Sequence, residues 1–290
     1  MLSVIIPCYN AADTLTDQLD AFLSQYSDKA WELIVADNGS TDNTLQIVEK
    51  YCEQLANMEI IDASEIRGAG FARNKGAKAA RGDLLAFVDA DDQVGSGWID
   101  AIFNALQKHD FVASRFEHQK LSTSILSKKR GGPQRNGLQP YTYPSYYPHS
   151  GGSGLAVKRW LHEKVGGFDE SLPRLQDTDY CWRIQLQGTQ LYFEEAAVVH
   201  VRPKESLSEM YRQSYVWGEY NVLMYKKYEK FGMPRLSFGD VTSSIIYWLY
   251  DLVRNILRVR NRSDFAPVIA KVGNRLGRFK GSLKYRVLAI

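Results

Sequence analysis

The chain has little that would staple it together or carry it through a bilayer. Its three cysteines, Cys8, Cys52 and Cys181, are odd in number and far apart, without metal-ligand spacing. That argues against a disulfide framework and a cysteine-bound zinc, and fits reduced thiols in a cytosolic protein. No apolar run approaches the ~20 residues that a membrane helix needs. No basic segment precedes the first apolar run, and Pro7 interrupts it early. MLSVIIPCYN therefore reads as a strand starting at once, not as a signal peptide. Internal repeats and low-complexity segments are also absent, which argues against solenoids and fibrous arrays.

What is present is an ordinary globular composition. The 290 residues are 44% hydrophobic and 24% charged, enough for one large domain or one domain with an appendage. The net charge of +3 is unevenly spread. Residues 251–290 hold ten Lys/Arg against two acids, a net +8, while residues 1–250 hold 26 basic against 31 acidic side chains, a net −5. A basic tail on an acidic body points to a polyanion or an anionic membrane as its partner.

Along the first hundred residues, short apolar runs alternate with helical patterns. LSVIIP, ELIVAD, MEIIDA and DLLAFVD read as strands, and residues 13–26, 43–55 and 70–80 as helices. This is the βαβ signature of a parallel sheet covered on both faces. Residues 115–150, rich in Gly, Pro and Tyr without periodicity, read as a long loop, with 127–152 expected to be mobile and to order over bound ligand. Residues 177–187 read as a helix and LYFEEAAVVHV as two short strands. From Ser206 the chain reads as helices over 206–230, 240–262 and 264–282. The expected division is 1–205 and 206–290.

Ligands of such sheets bind outside the carboxyl ends of the strands. There the sequence places Pro7-Cys8-Tyr9-Asn10, then Asp37-Asn38-Gly39-Ser40-Thr41-Asp42, then Asp89-Ala90-Asp91-Asp92. Each alone passes for a turn or a solvated loop. Together they bring carboxylates and an aromatic ring to one edge, which reads as a binding site. The clustered charge after the buried run LLAFV calls for a cation among Asp89, Asp91 and Asp92.

VIIPCYN, VADNGSTDNT, ARNKGAKAARGDLLAFVDADD and GGFDE followed by QDTDYCWR, in this order and spacing over residues 2 to about 200, resemble the family 2 glycosyltransferases with the GT-A fold. The resemblance implies a mostly parallel, Rossmann-like sheet flanked by helices, with a C-terminal helical extension. It implies a nucleotide-sugar donor, a divalent metal (Mg²⁺ or Mn²⁺), and transfer to an acceptor hydroxyl with inversion. Carried over by position, Pro7 and Tyr9 flank the nucleobase, with Asn10 beside them, and Asp37 bonds the base. Asp89 and Ala90 approach the ribose, Asp91 and Asp89 the metal, and Asp177 is the catalytic base. One position departs from the family pattern: Gln176 stands where Glu usually precedes this Asp, so only the hydrogen-bonding part of that side chain's role is kept.

The chemistry is consistent with these roles. Carboxylates suit Mg²⁺ or Mn²⁺ bridging a diphosphate, and a single carboxylate suffices to take the acceptor proton. His200, ending VVHV, reads either as a third metal ligand or phosphate donor, or as a strand-end histidine with a protein partner. Arg73 and Lys75 read as phosphate contacts or as the polar face of an Ala-rich helix. Asp179 reads as a cap or an orienting group, Trp182 as core, and Trp160 stays open. The expected setting is bacterial surface polysaccharide or glycoconjugate assembly, with a UDP-sugar the simplest donor and a carbohydrate, lipid-linked or other hydroxyl acceptor.

Two rivals remain at this point. A nucleotidyltransferase would carry a Gly-rich basic loop after strand one, where PCYNAADT stands. A non-catalytic membrane-surface protein of this fold would not need Asp91 and Asp177. Nucleic acid is disfavoured, because the tail has few interleaved aromatics. Val241, Ile245, Trp248, Leu249, Leu252 and Ile256 line one helical side ahead of Arg254, Arg258, Arg260 and Arg262. That stripe predicts a helix at the inner face of the cell membrane, a helix packed as core, or a homodimer contact.

Overall fold

The computed structural model describes residues 1–123, 132–261 and 264–289. Two compact units emerge, the first built from residues 1–121, 132–139 and 148–202. Its chain runs β1 (Leu2–Cys8), α1 (Leu15–Leu23), β2 (Trp31–Asp37), α2 (Thr44–Cys52), β3 (Met58–Asp62), α3 (Ala69–Ala79) and β4 (Leu84–Phe87). Then come β5 (Gln93–Val94), α4 (Trp98–Lys108) and β6 (Phe111–Glu117). A hairpin, β7 (Gln139–Thr142) and β8 (Ser145–His149), precedes β9 (Leu155–Lys158), α5 (Arg159–Lys164), α6 (Gln176–Leu186) and β10 (Tyr192–His200).

Eight strands form one sheet in the order β3-β2-β1-β4-β9-β6-β10-β5. β3, β2, β1 and β4 are parallel, β9 runs against both β4 and β6, and β6 is parallel to β10. Leu2, Val4, Ile5 and Ile6 of β1 and all four residues of β4 are buried, because helices cover both faces of a parallel sheet. That is why these strands are apolar apart from Ser3, whose Oγ donates to the buried Glu32 at 2.6 Å. Gly76 lets α3 lie directly on the sheet, since a Cβ there would run into Ile5 Cγ2.

Two expectations change. LYFEEAAVVHV forms one strand, not two: β10 holds its pairing with β6 across a bulge between Glu194 and Val198. The expected 115–150 loop begins as β6 and ends in the β7–β8 hairpin, joined through a cis Tyr143–Pro144 bond. There the tyrosines act as packing residues: the Tyr143 ring lies 4.9 Å from Arg278 Cζ and the Tyr146 ring 5.9 Å from that of Tyr228. Lys128, Lys129, Arg130 and Gly131 of the loop, and Arg262 of the basic stripe, lie outside the described residues.

The second unit contains residues 140–147 and the chain from Pro203. Its helices are α7 (Leu207–Tyr228), α8 (Phe238–Ile256) and α9 (Phe265–Tyr285). α7 and α8 each start in a capping box, Ser206 with Glu209 and Ser237 with Asp240. α9 crosses α7 through glycines four residues apart, Gly273, Gly277 and Gly281. A Cβ on Gly277 would come within 3.0 Å of the Tyr215 carbonyl, and one on Gly218 within 3.0 Å of that of Asn274. Only hydrogen fits where backbone meets backbone.

Much of the basic tail is already engaged. Lys271 pairs with Asp251, Lys280 and Lys284 both pair with Glu219, and Arg278 is buried. In an open helix, Gly→Ala gains about 1 kcal/mol. At Gly277 the sign should reverse, because overpacking against backbone typically costs about 1–3 kcal/mol. Denaturant unfolding of Gly277→Ala should therefore show a lowered midpoint. Gly239→Ala, whose Cβ would meet nothing closer than Ser237 Oγ at 3.6 Å, should be neutral or slightly stabilising.

Candidate active site at the carboxyl edge of the sheet

From β1 the chain moves outward through β2 and β3, then returns to the other side of β1 as β4. The strand order reverses there, and the region outside the carboxyl ends of β1, β2 and β4 is where such sheets bind ligands. The loops after β1 and β2 are laced together. Asn10 N donates to Ser40 Oγ at 3.0 Å, Thr41 N to Asn10 Oδ1 at 2.8 Å, and Ala11 N to Thr44 Oγ1 at 2.8 Å. Asn10 takes a left-handed conformation, φ +48°, to make these bonds. The Asp37 carboxylate is held by N–H groups of Gly39 and Ser40, at 3.2 and 3.1 Å. Pro7 is half-buried beside Ala36, and the Tyr9 ring is exposed with Arg67 Cζ 4.4 Å from its centre.

After β4 the carboxylates of Asp89, Asp91 and Asp92 gather with oxygens within 4.8 Å of one another. The loop is built to hold them there. Gln18 Nε2 donates to the Asp89 carbonyl at 3.0 Å, and its Oε1 accepts from Val94 N at 2.9 Å. Asp89 N donates to Ser153 Oγ at 3.1 Å, and Thr14 Oγ1 to the buried Ala90's carbonyl at 3.4 Å. Arg202 closes the far side: its N donates to Asp92 Oδ1 at 2.9 Å, its Nε to the Asp91 carbonyl at 3.0 Å, and its Nη2 to Asp17 at 2.6 Å. Burial, then the charges of Asp91 and Asp89, push the Asp92 carboxyl well above the usual range. An all-oxygen donor set fits Mg²⁺ or Mn²⁺.

His200 was expected in that set with Asp89 and Asp91. Among the described residues, Asp92 completes the cluster and His200 is not part of it. β10 ends in register with Glu117 of β6 and with Gln93 of β5, and His200 Nδ1 lies 2.8 Å from Glu117 Oε2. The strand-end reading, with a protein partner, describes its position here.

Arg73 joins the cluster to α6. It is 5% exposed, its Nη2 donates to Asp89 Oδ1 at 2.6 Å, and its Nη1 to Gln176 Oε1 at 3.3 Å. The guanidinium lies 5.2 Å from the Phe168 ring centre, and a Cβ on Gly152 would crowd its Nη2. Gln176 thus serves as a hydrogen-bond acceptor for Arg73. Next to it, half-buried Asp177 opens α6 and accepts from Thr178 N at 2.8 Å. Burial raises its carboxyl above the usual range; the Thr178 N–H and Arg73 oppose that, while Asp89 adds to it.

The other candidates fall outside this group. Lys75 pairs with Glu65 at 2.5 Å, and Asp179, fully buried, with Arg183 at 2.7 Å. Trp182 is core and Trp160 is half exposed. Sequence reasoning missed Gln18, Arg67, Ser153 and Arg202. Ser153 carried no local signal: it lies in GGSG just before β9, and only the antiparallel pairing of Leu155 with Phe87 of β4 brings it to Asp89.

Comparison with known proteins agrees with this architecture. Residues 3–159 match the model of "Glycosyl transferase family 2". Over 93 residues the chain is 41% identical to the uncharacterized glycosyltransferase YibD of Escherichia coli K12, covering 32% of this chain and 26% of that protein. Over 93 residues it is 39% identical to the putative teichuronic acid biosynthesis glycosyltransferase TuaG of Bacillus subtilis, covering 32% and 36%. The alignments thus span only about a quarter to a third of these relatives' own lengths.

Two solved structures share the fold. S. aureus TarS 1–349 in complex with UDP-GlcNAc superposes with TM-score 0.57 at 18% identity, covering 99% of this chain and 92% of that one. Mannosyltransferase PcManGT from Pyrobaculum calidifontis, in complex with GDP-Man and Mn²⁺, gives 0.59 at 18% identity, covering 97% and 73%. The mostly parallel sheet with its carboxylate-lined edge is a GT-A fold, and the chain belongs to glycosyl transferase family 2.

Proposed function

We propose that the protein is a metal-dependent, inverting glycosyltransferase that moves a hexosyl group from a nucleoside-diphosphate sugar, most simply a UDP-sugar, to an acceptor hydroxyl. The observation that carries this reading is Arg73, which ties the carboxylate cluster to the start of the helix bearing Asp177. A group for the donor's diphosphate and a group for the acceptor's proton are thereby held side by side. The ligands of TarS and PcManGT, both nucleoside-diphosphate sugars, support the donor class. TuaG's name supports an acceptor in surface polysaccharide assembly.

In this reading, Pro7 and Tyr9 flank the nucleobase, with Arg67 bracing the Tyr9 ring from one side. Asn10 sets the loop, and Asp37 receives the base's N–H. Asp89 and the Ala90 backbone lie along the ribose. Asp91, with Asp89 and Asp92, would hold the cation; when bound, it supplies positive charge to the departing diphosphate. His200, expected as a third ligand or phosphate donor, has its Nδ1 engaged by Glu117 and lies outside the three-carboxylate set.

The acceptor oxygen attacks the anomeric carbon from the face opposite the leaving group. Its proton passes to the Asp177 carboxylate as the new C–O bond forms and the old one breaks, and the nucleoside diphosphate leaves with the bonding pair. A base of raised pKa is better matched to this proton than an ordinary carboxylate. Arg73 keeps that rise from becoming too large.

Asp91→Asn should weaken the cation-dependent part of nucleotide binding. Calorimetry of UDP with and without Mn²⁺ checks this, and an unchanged Mn²⁺ enhancement would remove Asp91 from the site.

Asp177→Asn should leave UDP affinity nearly intact and lower turnover by roughly 10²–10⁴-fold. Because the base works ionised and its carboxyl is raised, wild-type turnover should fall as the pH drops, with the limb above the ordinary carboxylate value of about 4. Arg73→Gln should move that limb to higher pH. Product mass spectrometry across a nucleotide-sugar panel supplies the rates, and near-normal turnover of Asp177→Asn would reject the base assignment.

A further inference from the structure

Helix α8 is apolar on two sides. Val241 is buried, Trp248 lies under Arg275 with Cζ 5.7 Å from the ring, Ser244 accepts from Arg275 at 2.9 Å, and Asp251 pairs with Lys271. This is the side carrying most of the stripe expected at a membrane, and α9 covers it. On the opposite side stand Ile246, Leu249, Tyr250, Val253, Ile256 and the cap residue Leu257, at helical spacing and all exposed, Ile246 by 63% and Leu257 by 81%. Phe238 extends the face at 78% exposure, with Tyr247, 70% exposed, at its edge. So long an uncovered apolar face marks an interaction surface.

The charges beside it select the partner. Arg254, Arg258 and Arg260 are exposed at the C-terminal end of this face. The nearby acids are already engaged: Asp251 by Lys271, and Asp264 by the backbone N–H groups of Arg260 and Asn261. Asp240, at the far end of the helix, accepts from Ser237 N and Oγ. A second copy laid against this face would therefore bring three guanidiniums only Asp240 and Asp264, both already accepting from donors of their own segments. An anionic lipid surface supplies many counter-charges in one plane. Tyrosines beside an aliphatic stripe also suit the depth of lipid headgroups. No described helix is long and apolar enough to cross a membrane, so the contact is one of lying on the surface.

We propose that this outer face of α8 lies in the interface of an anionic membrane, with Ile246, Leu249, Val253, Ile256 and Leu257 toward the acyl boundary and Arg254, Arg258 and Arg260 against headgroup phosphates. The inference is independent of the catalytic reading.

The test is flotation of the full chain with vesicles of phosphatidylcholine alone or with one-third phosphatidylglycerol, at low salt. The protein should float with the anionic vesicles. A triple change of Arg254, Arg258 and Arg260 to Gln should weaken that binding by roughly 10²-fold, about five-fold for each basic residue. A triple change of Leu249, Val253 and Leu257 to Gln should weaken it strongly and leave a residual binding that about 150 mM salt removes, since headgroup attraction without apolar insertion is screened by salt. Both variants alter exposed side chains, and an unchanged unfolding midpoint and UDP affinity would confirm that they fold. Failure of the full chain to float on anionic vesicles would overturn the proposal, as would equal flotation of the arginine variant. Sedimentation showing a dimer that dissociates in the Leu249/Val253/Leu257 variant, with no flotation, would assign the face to a second copy instead.

Discussion

Three carboxylates share the end of one buried strand, and the site is arranged around their repulsion. Two unit charges 4.8 Å apart repel by about 3 kcal/mol at an effective dielectric constant near 20. Three such pairs together rival the whole stability of an ordinary domain, about 5–15 kcal/mol. The cluster therefore cannot stand fully ionised without help. Arg73 neutralises Asp89, and Asp92, buried and facing two like charges, moves toward its protonated form. Gln18, Thr14, Ser153 and the Arg202 backbone supply hydrogen bonds that fix the loop without adding charge. Those residues come from α1, from the turn before β9 and from the end of β10, so the demand of one loop draws together distant parts of the first unit.

The sheet was legible for the reason that it is stable. Strands buried on both faces are dominated by apolar residues, and LSVIIP, ELIVAD and DLLAFVD stand out against polar connections. Once those strands are parallel, the polar residues after them share one edge, and Asp37, Asp89 and Asp91 could be read as neighbours in space. What escaped were the contacts made by reversal of direction. Ser153 and Gly152 reach Asp89 and Arg73 only because β9 runs against β4, and nothing local in GGSG announces an antiparallel strand within a parallel sheet. Arg202 is one arginine among many until β10 is laid beside β5. The α8 stripe was read correctly as apolar, but periodicity does not say which neighbour covers it. The half-buried Trp248 turned toward α9, while a second stripe stayed outside.

Gln176 is best understood through the same repulsion among carboxylates. The Arg73 guanidinium is bonded to Asp89, while that of Arg202 is directed to Asp17 and to the Asp91 carbonyl. A glutamate at position 176 would add a fourth carboxylate and compete with Asp89 for Arg73. The amide accepts the same hydrogen bond without that charge, so more of the Arg73 field is left to Asp89 and, through space, to Asp177. When no cation is bound, burial and then the charges of Asp91 and Asp89 hold the Asp92 carboxyl well above the usual range. A bound cation would favour the ionised form of Asp92, on the same side as the hydrogen bonds from the Arg202 N–H and Ser153 and against burial and the neighbouring carboxylates.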